Sequence, residues 1–528
     1  MVIVLPVREN KTDSIDDLTT QAPRPRDRAF DRTVPVLAAI ATLISLTGSW
    51  IPSFWGDEGA SVMSATRSIP SLLSMLGTVD AVHGTYYLFL HAWVSLVGAS
   101  PFSVRLPSAL AVGALVAAVA LISRRLSSPR VAIAAAIICM VIPRVTYFGE
   151  EARSYAFAAA IAAWLTLLLL TMMEKREPSA RHWVVYTALL AFGIYSFLFL
   201  ILIAISHAVV LLSVRTNRQF FTRWAASTAV AIVVASPIMV FALREKNQIA
   251  FLSHGNELNF RNLTVALWFG EPLFATLAWT LIACALASAV LGWRRNRRLT
   301  RHHVSPKADL SPLPRLDVVA ATWLLIPGAI LIGGFWLVPV YTGRYLSDCA
   351  PAAAILMAIG LDWLIRGRKS ALVLGLVVVV ACATPTWFSQ RQPNSKNNSD
   401  YAETSAVMAA HALPGDGVVF DEVVRPSRRP RLALHLYPEA WAGLNDVALN
   451  VAYDTGTSWY DSAYSVRDAA TLRRFSGVNR LWLVEYVGTD SVDTLSQPEL
   501  VSLGYLKVKE FDTHRSAIIE YVLPGTAP

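Results

Sequence analysis

Charge is scarce in this chain. Of its 528 residues 16% are Asp, Glu, Lys or Arg and 54% are hydrophobic, whereas an average soluble domain is about 25% charged. That excludes an ordinary soluble protein and points to a polytopic membrane protein. The formal net charge of +9 does not imply a nucleic-acid partner, because the Lys and Arg residues fall in short clusters between apolar stretches, as in loops at a cytoplasmic face. Cysteine is scarcer still: Cys139, Cys284, Cys349 and Cys382, three of them inside apolar segments, give neither a disulfide framework nor a zinc site. The sequence also has no glycine-rich phosphate loop, no pattern of a nucleotide-sugar fold and no internal repeat. After the first apolar run it reads "TGSWIPSFWG", which lacks a small-residue cleavage site. Val34 to Trp50 is therefore expected to be an uncleaved first span behind a polar cytoplasmic segment, residues 1–33.

What the sequence does have is a series of apolar runs near the ~20 residues that cross a bilayer. They lie near 34–50, 104–123, 130–148, 154–173, 183–198, 199–214, 224–243, 273–292, 317–338, 349–365 and 370–388, about eleven spans within a membrane domain 34–388. One more run, "TYYLFLHAWVSLVG" at 85–98, sets the parity of everything after it. If it does not cross and the N-terminus is inside, the cytoplasmic segments hold 25 Lys and Arg residues against 8 in the outer loops and adjoining span ends. If it crosses, every later cluster moves outside, against the positive-inside rule. The run therefore reads as an interfacial or re-entrant helix in a first outer loop, 51–103, with the C-terminus outside. Polar "SQRQPNSKNNSD" at 389–400 reads as a linker. Residues 401–528, with strand-like "GVVFD" and "RLWLVEYV" and helical stretches at 401–412 and 464–475, read as a small α/β domain outside the membrane.

Four places hold ionisable groups at the expected outer boundary. "WGDEGASV" sets Asp57 and Glu58 side by side after the first span, with Trp50, Phe54 and Trp55 as interface anchors. Glu58 also suits the N-terminus of an amphipathic helix, where the dipole favours a carboxylate. "VDAVHGTYYLFLHAW" supplies His83, Tyr86 and Tyr87, which fit an aromatic belt as well as a site. "YFGEEARSYAF" packs Glu150, Glu151 and Arg153 between apolar stretches, where charge is costly unless paired or wetted. An ion pair of Arg153 with one of these glutamates is the structural alternative. "VYTGRYLSDCAP" places Arg344 and Tyr345 at the outer end of a span, with Asp348 as an alternative partner for the arginine. An outward arginine suits a phosphate, to which guanidinium offers a charged fork of donors. A carboxylate base opposite such cations is the set needed to move a sugar from a lipid phosphate to a hydroxyl.

These stretches resemble, in order, the motifs of GT-C superfamily membrane glycosyltransferases, in the branch of protein O-mannosyltransferases and lipid A aminoarabinose transferases. "FWGDEG" is similar to the family's first-loop carboxylate motif, and "HGTYYLFLHAWVSLVGASPFSVRLPSAL" to its stretch from a His or Lys through Tyr-Tyr to Arg-Leu-Pro-Ser. "EEARSYAF" and "GRYLSDCAPAAAILMAIGL" resemble later family patterns, so that the likeness runs over about 34–365. Gly84 and Thr85 stand where the family has paired prolines.

The resemblance implies an all-α polytopic GT-C fold, a polyprenyl-phosphate sugar as donor, inversion at the anomeric carbon and reaction on the outer face of the cell membrane. It implies Asp57 as catalytic base with Glu58 beside it, and His83, Arg153, Arg344 and Tyr345 at the donor phosphate. Tyr86, Tyr87, Glu150 and Glu151 are the expected substrate-binding residues. Mannose is the expected sugar, and the acceptor a lipid, polysaccharide or protein of the cell envelope. A pentose donor on the same fold and a transporter or flippase of lipid-linked sugars stay open. No cofactor is called for, and Asp57 with Glu58 leaves a divalent metal open, although hard cations want several oxygen ligands.

Overall fold

In a computed structural model of the full chain, residues 28–175, 177–246, 248, 258–302, 313–335, 341–488 and 496–525 are described. Most of segment 1–33 and parts of the stretches 244–260 and 294–315, which the charge distribution puts outside and inside respectively, lie outside them. The chain begins with α1 (Arg28–Leu46), then α2 (Gly56–Ala65), α3 (Ile69–Leu76) and α4 (Gly84–Val97) in the first loop. The bundle continues with α5 (Pro101–Leu126), α6 (Pro129–Val141), α7 (Pro143–Gly149), α8 (Tyr155–Met173), α9 (Ala180–Ser196), α10 (Leu202–Ser213) and α11 (Arg218–Arg244). It is completed by α12 (Pro272–His302), α13 (Leu316–Gly334), α14 (Ala350–Leu364) and α15 (Lys369–Gln390).

Local chemistry explains these ends. α5 starts with a capping box, in which the side chains of Ser100 and Ser103 each satisfy the other's backbone N–H, and has Pro101 where a missing N–H costs nothing. It closes on Arg124 and Arg125, cations at the negative end of the helix dipole. Pro143 breaks the next apolar run, and α6 and α7 meet at a bend of 60°. Small residues let helices approach closely, as expected where lipid supplies little drive for helices to associate. A Cβ on Gly360 would overlap the Leu281 carbonyl of α12, and one on Gly113 would meet α1 at Ala38 and Thr42.

Among the described residues seven helices are long and apolar enough to cross a membrane, or eight if α6 and α7 form one broken span. The expected eleven are reduced because the runs 34–50, 183–198 and 199–214 fold as helices outside that count. α9 has 17 residues and α10 has 12. α4 has 14 residues, about 21 Å of helix, and stops short of a ~30 Å hydrocarbon core. It packs against α2, burying Tyr86, Tyr87 and Leu90, as an interfacial helix would.

After α15, α16 (Tyr401–His411) leads into strands β1 (Gly417–Phe420), β2 (Asn445–Asp446), β3 (Leu449–Val451), β4 (Ser462–Ala463), β5 (Arg480–Tyr486), β6 (Leu506–Asp512) and β7 (Ser516–Val522). Five form a mixed sheet in the order β2-β1-β5-β7-β6, parallel from β2 to β5 and antiparallel beyond, while β3 and β4 pair separately. Alternation along β5 decides what each face touches. Leu481 and Leu483 enter a core internal to the sheet region, whereas Trp482 and Val484 share a core with Phe54, Met63 and Tyr87 of the first loop.

The stretch 389–400 is more than a tether. Arg391 donates to the Thr47 and Ile44 carbonyls beyond and at the end of α1, at 2.7 and 3.0 Å, and Lys396 and Asp400 are fully buried. Packing of this polar segment is the physical reason it differs from the linker expected of its composition.

Candidate active site

The site begins with α2. Trp55 caps it in an extended conformation, and Asp57 and Glu58 fall in its first turn, where free backbone N–H groups favour negative charge. Successive helical residues point about 100° apart, so the two carboxylates go to different places.

Glu58 turns inward. Arg105 of α5 grips it bidentately, Nε to Oε1 at 2.8 Å and Nη2 to Oε2 at 2.5 Å, and the Ala152 N–H adds a bond at 2.9 Å. The same guanidinium donates to the Ser49 and Pro52 carbonyls at 2.6 and 2.9 Å. Both side chains are 0% exposed. This pair fastens the turn after α1 to α2 and α5, and Glu58 accordingly lies outside the open part of the site.

Asp57 turns toward the opening. It pairs with Arg344, 287 residues away, and the two side chains keep 23% and 30% of their surface exposed. Arg344 lies over the Trp55 ring at 5.3 Å. It stands in a short 3₁₀ turn, Gly343–Cys349, that runs into α14. Asp348, its alternative partner by sequence, is buried beside Cys349 instead.

Arg153 holds α2 from behind. Its Nη1 reaches the Asp57 carbonyl and Ser61 Oγ, both at 3.3 Å, and the Tyr87 hydroxyl at 3.4 Å. Its Nη2 donates to His83 Nε2 at 3.0 Å. Burial, with Arg153 and Arg344 nearby, drives the His83 pKa well below its ordinary 6.5, which makes His83 a neutral acceptor for Arg153. Tyr87 donates to Asp80 Oδ2 at 3.1 Å. Asp80 sits at φ +58°, a left-handed conformation that Asp tolerates better than most, and burial raises its pKa.

The remaining expected residues divide. Glu150 is buried against Arg391 at 3.4 Å and Lys396 at 3.5 Å, both from the 389–400 stretch, so Arg153 pairs with neither glutamate. The Glu151 carboxyl is buried without a hydrogen bond at Oε1, and burial pushes its pKa up to about 7. Tyr345 lies against Phe199 at 4.5 Å. Tyr86 packs edge-on to Phe157 at 5.9 Å. Thus Asp57, His83, Tyr87, Arg153 and Arg344 come together, while Glu58, Glu150 and Tyr86 serve packing or buried ion pairs. Sequence reasoning missed Asp80, Lys396 and the partnership of Arg105; Asp80 had one signal, its place three residues before His83. Among the described residues no group of three or more His, Cys, Asp or Glu could hold a metal ion.

The family model described as dolichyl-phosphate-mannose-protein mannosyltransferase matches residues 85–241, a stretch that includes Arg153 but neither Asp57 nor Arg344. No curated protein sequence matches the chain. Among solved structures, ArnT from Cupriavidus metallidurans bound to undecaprenyl phosphate is similar at a TM-score of 0.53 and 13% identity, over 94% of this chain and 99% of that one. Its apo state gives 0.52 and 12%, over 95% and 100%. The Archaeoglobus fulgidus oligosaccharyltransferase with zinc and sulfate gives 0.48 and 13%, over 92% and 73%. The likeness to ArnT extends over nearly the whole of both chains, and the chain is a multi-pass membrane protein with the fold of the GT-C membrane glycosyltransferases.

Proposed function

We propose that the protein is an inverting glycosyltransferase of the cell membrane that moves a sugar from a polyprenyl-phosphate donor to a hydroxyl of a cell-envelope acceptor on the outer face. The observation that carries this reading is the meeting of Asp57 and Arg344 at a partly exposed point, with Arg153 behind them. Asp57 takes the acceptor proton as the acceptor oxygen bonds to the anomeric carbon. The carbon–oxygen bond to the donor phosphate breaks on the opposite side, and its electron pair leaves with the phosphate. General-base assistance of this kind is worth ~10²–10⁴-fold. Arg344 stabilises the charge gathering on the departing phosphate, an effect of ~3 kcal/mol for a well-placed donor. Mannose is the sugar favoured by the family model over residues 85–241. The active site then faces outward, as the distribution of Lys and Arg favours.

Lipid and glycan profiling of a deletion strain tests the reading. Loss of one sugar from one envelope component, with its unmodified acceptor and the polyprenyl-phosphate sugar accumulating, is the expected result. Unchanged profiles together with altered transbilayer movement of lipid-linked sugar would replace it with transport.

A further inference from the structure

Arg344 has a second side. Away from Asp57 it lines a cavity of about 230 Å³ together with Arg144, Asn262, Tyr341 and Thr342. Among the described residues no carboxylate lines that cavity.

Arg144 reaches it because of the break in the helix. Pro143 starts α7 at the 60° bend, which puts Arg144 in the first turn, beside the segment that ends the π-turn Asn262–Ala266. Its backbone N–H donates to the Trp268 carbonyl at 3.0 Å, its Nε to the Leu267 carbonyl at 2.6 Å and its Nη2 to the Ala266 carbonyl at 3.2 Å. Two bonds fix the guanidinium and the third fixes the backbone beneath it. Its Nη1 makes no hydrogen bond among the described residues. A fixed arginine with no ion pair within 4 Å among the described residues, with Glu151 acting on it only at longer range, beside a second arginine and between apolar helices, is a costly arrangement unless an anion uses it.

We propose that Arg144 and Arg344 form a two-guanidinium clamp on the donor phosphate in this cavity, with Arg144 as a binding residue that favours the departing phosphate over the bound donor. The proposal rests on the glycosyl-transfer reading and says on which side of Arg344 the phosphate lies. It leaves Arg153 and His83 to hold the Asp57 helix. The preference follows from charge. A sugar-phosphate diester carries one negative charge, whereas the polyprenyl phosphate released carries up to two, its second pKa being about 6. Two cations therefore gain more from the leaving group than from the donor, and interactions that strengthen toward the transition state are the ones that accelerate reaction.

The test is binding of undecaprenyl phosphate, with undecaprenol as control, to the purified full-length protein in nanodiscs between pH 5 and pH 8. Glu151, which acts on both arginines and charges near pH 7, opposes the second phosphate charge over this range. Glu151→Gln protein is therefore expected to bind the phosphate more tightly at pH 8 than at pH 5 by a larger margin than wild type, and both to bind the alcohol equally at the two pH values. Arg144→Gln, which can still donate to a carbonyl, is expected to weaken phosphate binding at pH 8 by about 10- to 100-fold, the worth of a charged hydrogen bond, and to leave the alcohol unaffected. Arg144→Lys should recover part of the loss. Gly343→Val offers a variant that leaves Arg144 in place: its Cβ meets Leu267 at 3.4 Å and Arg144 Nη2 at 4.0 Å, ordinary contacts, while its methyls fill the cavity. It should show the same selective loss. Wild-type phosphate binding in folded Arg144→Gln and Gly343→Val overturns the clamp alone. Wild-type protein that binds undecaprenyl phosphate no better than undecaprenol overturns the glycosyl-transfer reading and the clamp with it.

Discussion

Two carboxylates adjacent in sequence meet opposite fates in this fold. Glu58 is gripped by Arg105 with both side chains fully buried, and Asp57 meets Arg344 with a quarter or so of each side chain exposed. Each is a carboxylate with an arginine, but the surroundings decide what the pair is for. In the sealed pair every contact is structural, since Arg105 also ties down two carbonyls of the turn after α1. In the open pair both members keep surface that a substrate can reach. The difference teaches that an ion pair near a bilayer is read from its access and from what else the arginine holds.

The comparison can be broken first at its sealed half. Glu58→Gln leaves Arg105 buried and uncompensated, a loss of ~3–5 kcal/mol for a buried pair deprived of one partner. Thermal unfolding in detergent should show a large fall in melting temperature and poor recovery of folded protein. At the open half, Arg344→Ala should lower turnover ~10²-fold with a far smaller change in melting temperature. Equal loss of stability in both variants would erase the distinction.

Gly56 probes how the C-terminal region bears on the open half. A Cβ there would overlap the Ser427 carbonyl, so Gly56→Ala must push the 425–428 turn away from α2, at ~1–3 kcal/mol of overpacking. Increased proteolysis of residues 401–525 and reduced transfer are expected, with the α5 to α8 bundle unchanged by hydrogen exchange.

The smallest effect is in pH. Burial raises the Glu151 pKa from 4.5 to about 7, so the folded state holds this proton more tightly than the unfolded chain does. Its contribution to stability is complete below about pH 4.5 and disappears as pH rises through 7. Glu151→Gln, permanently neutral, should flatten the decline in melting temperature between pH 5 and pH 8. An identical slope in wild type and variant would remove Glu151 as its source.

Much of this was legible in the sequence because it is local. The long helices follow from apolar length, and β1 and β5 from their β-branched and aromatic runs. Asp57, His83, Tyr87, Arg153 and Arg344 stood out because charge or hydrogen-bonding groups at a membrane edge need a reason. Partnership was not legible. Nothing local says that Glu58 will choose Arg105 or that Arg153 will ignore the neighbouring glutamates, since those choices depend on the rotation of α2 and on packing across hundreds of residues. Lys396 was hidden for the opposite reason: it lies in a polar stretch whose composition is that of a solvated linker, yet it is buried against Glu150. The ends of α9 and α10 were not legible, because summed hydropathy does not reveal where a helix will break.

Asp57 as the base is the part of the proposed reaction on which the rest depends. Its most direct measurement is transfer of mannose from polyprenyl-phosphate mannose by purified Asp57→Asn protein, with melting temperature and undecaprenyl-phosphate binding taken on the same preparation. The account predicts transfer reduced ~10²–10⁴-fold, with binding retained and stability changed by no more than about 1 kcal/mol. Transfer at the wild-type rate in that folded protein would contradict it.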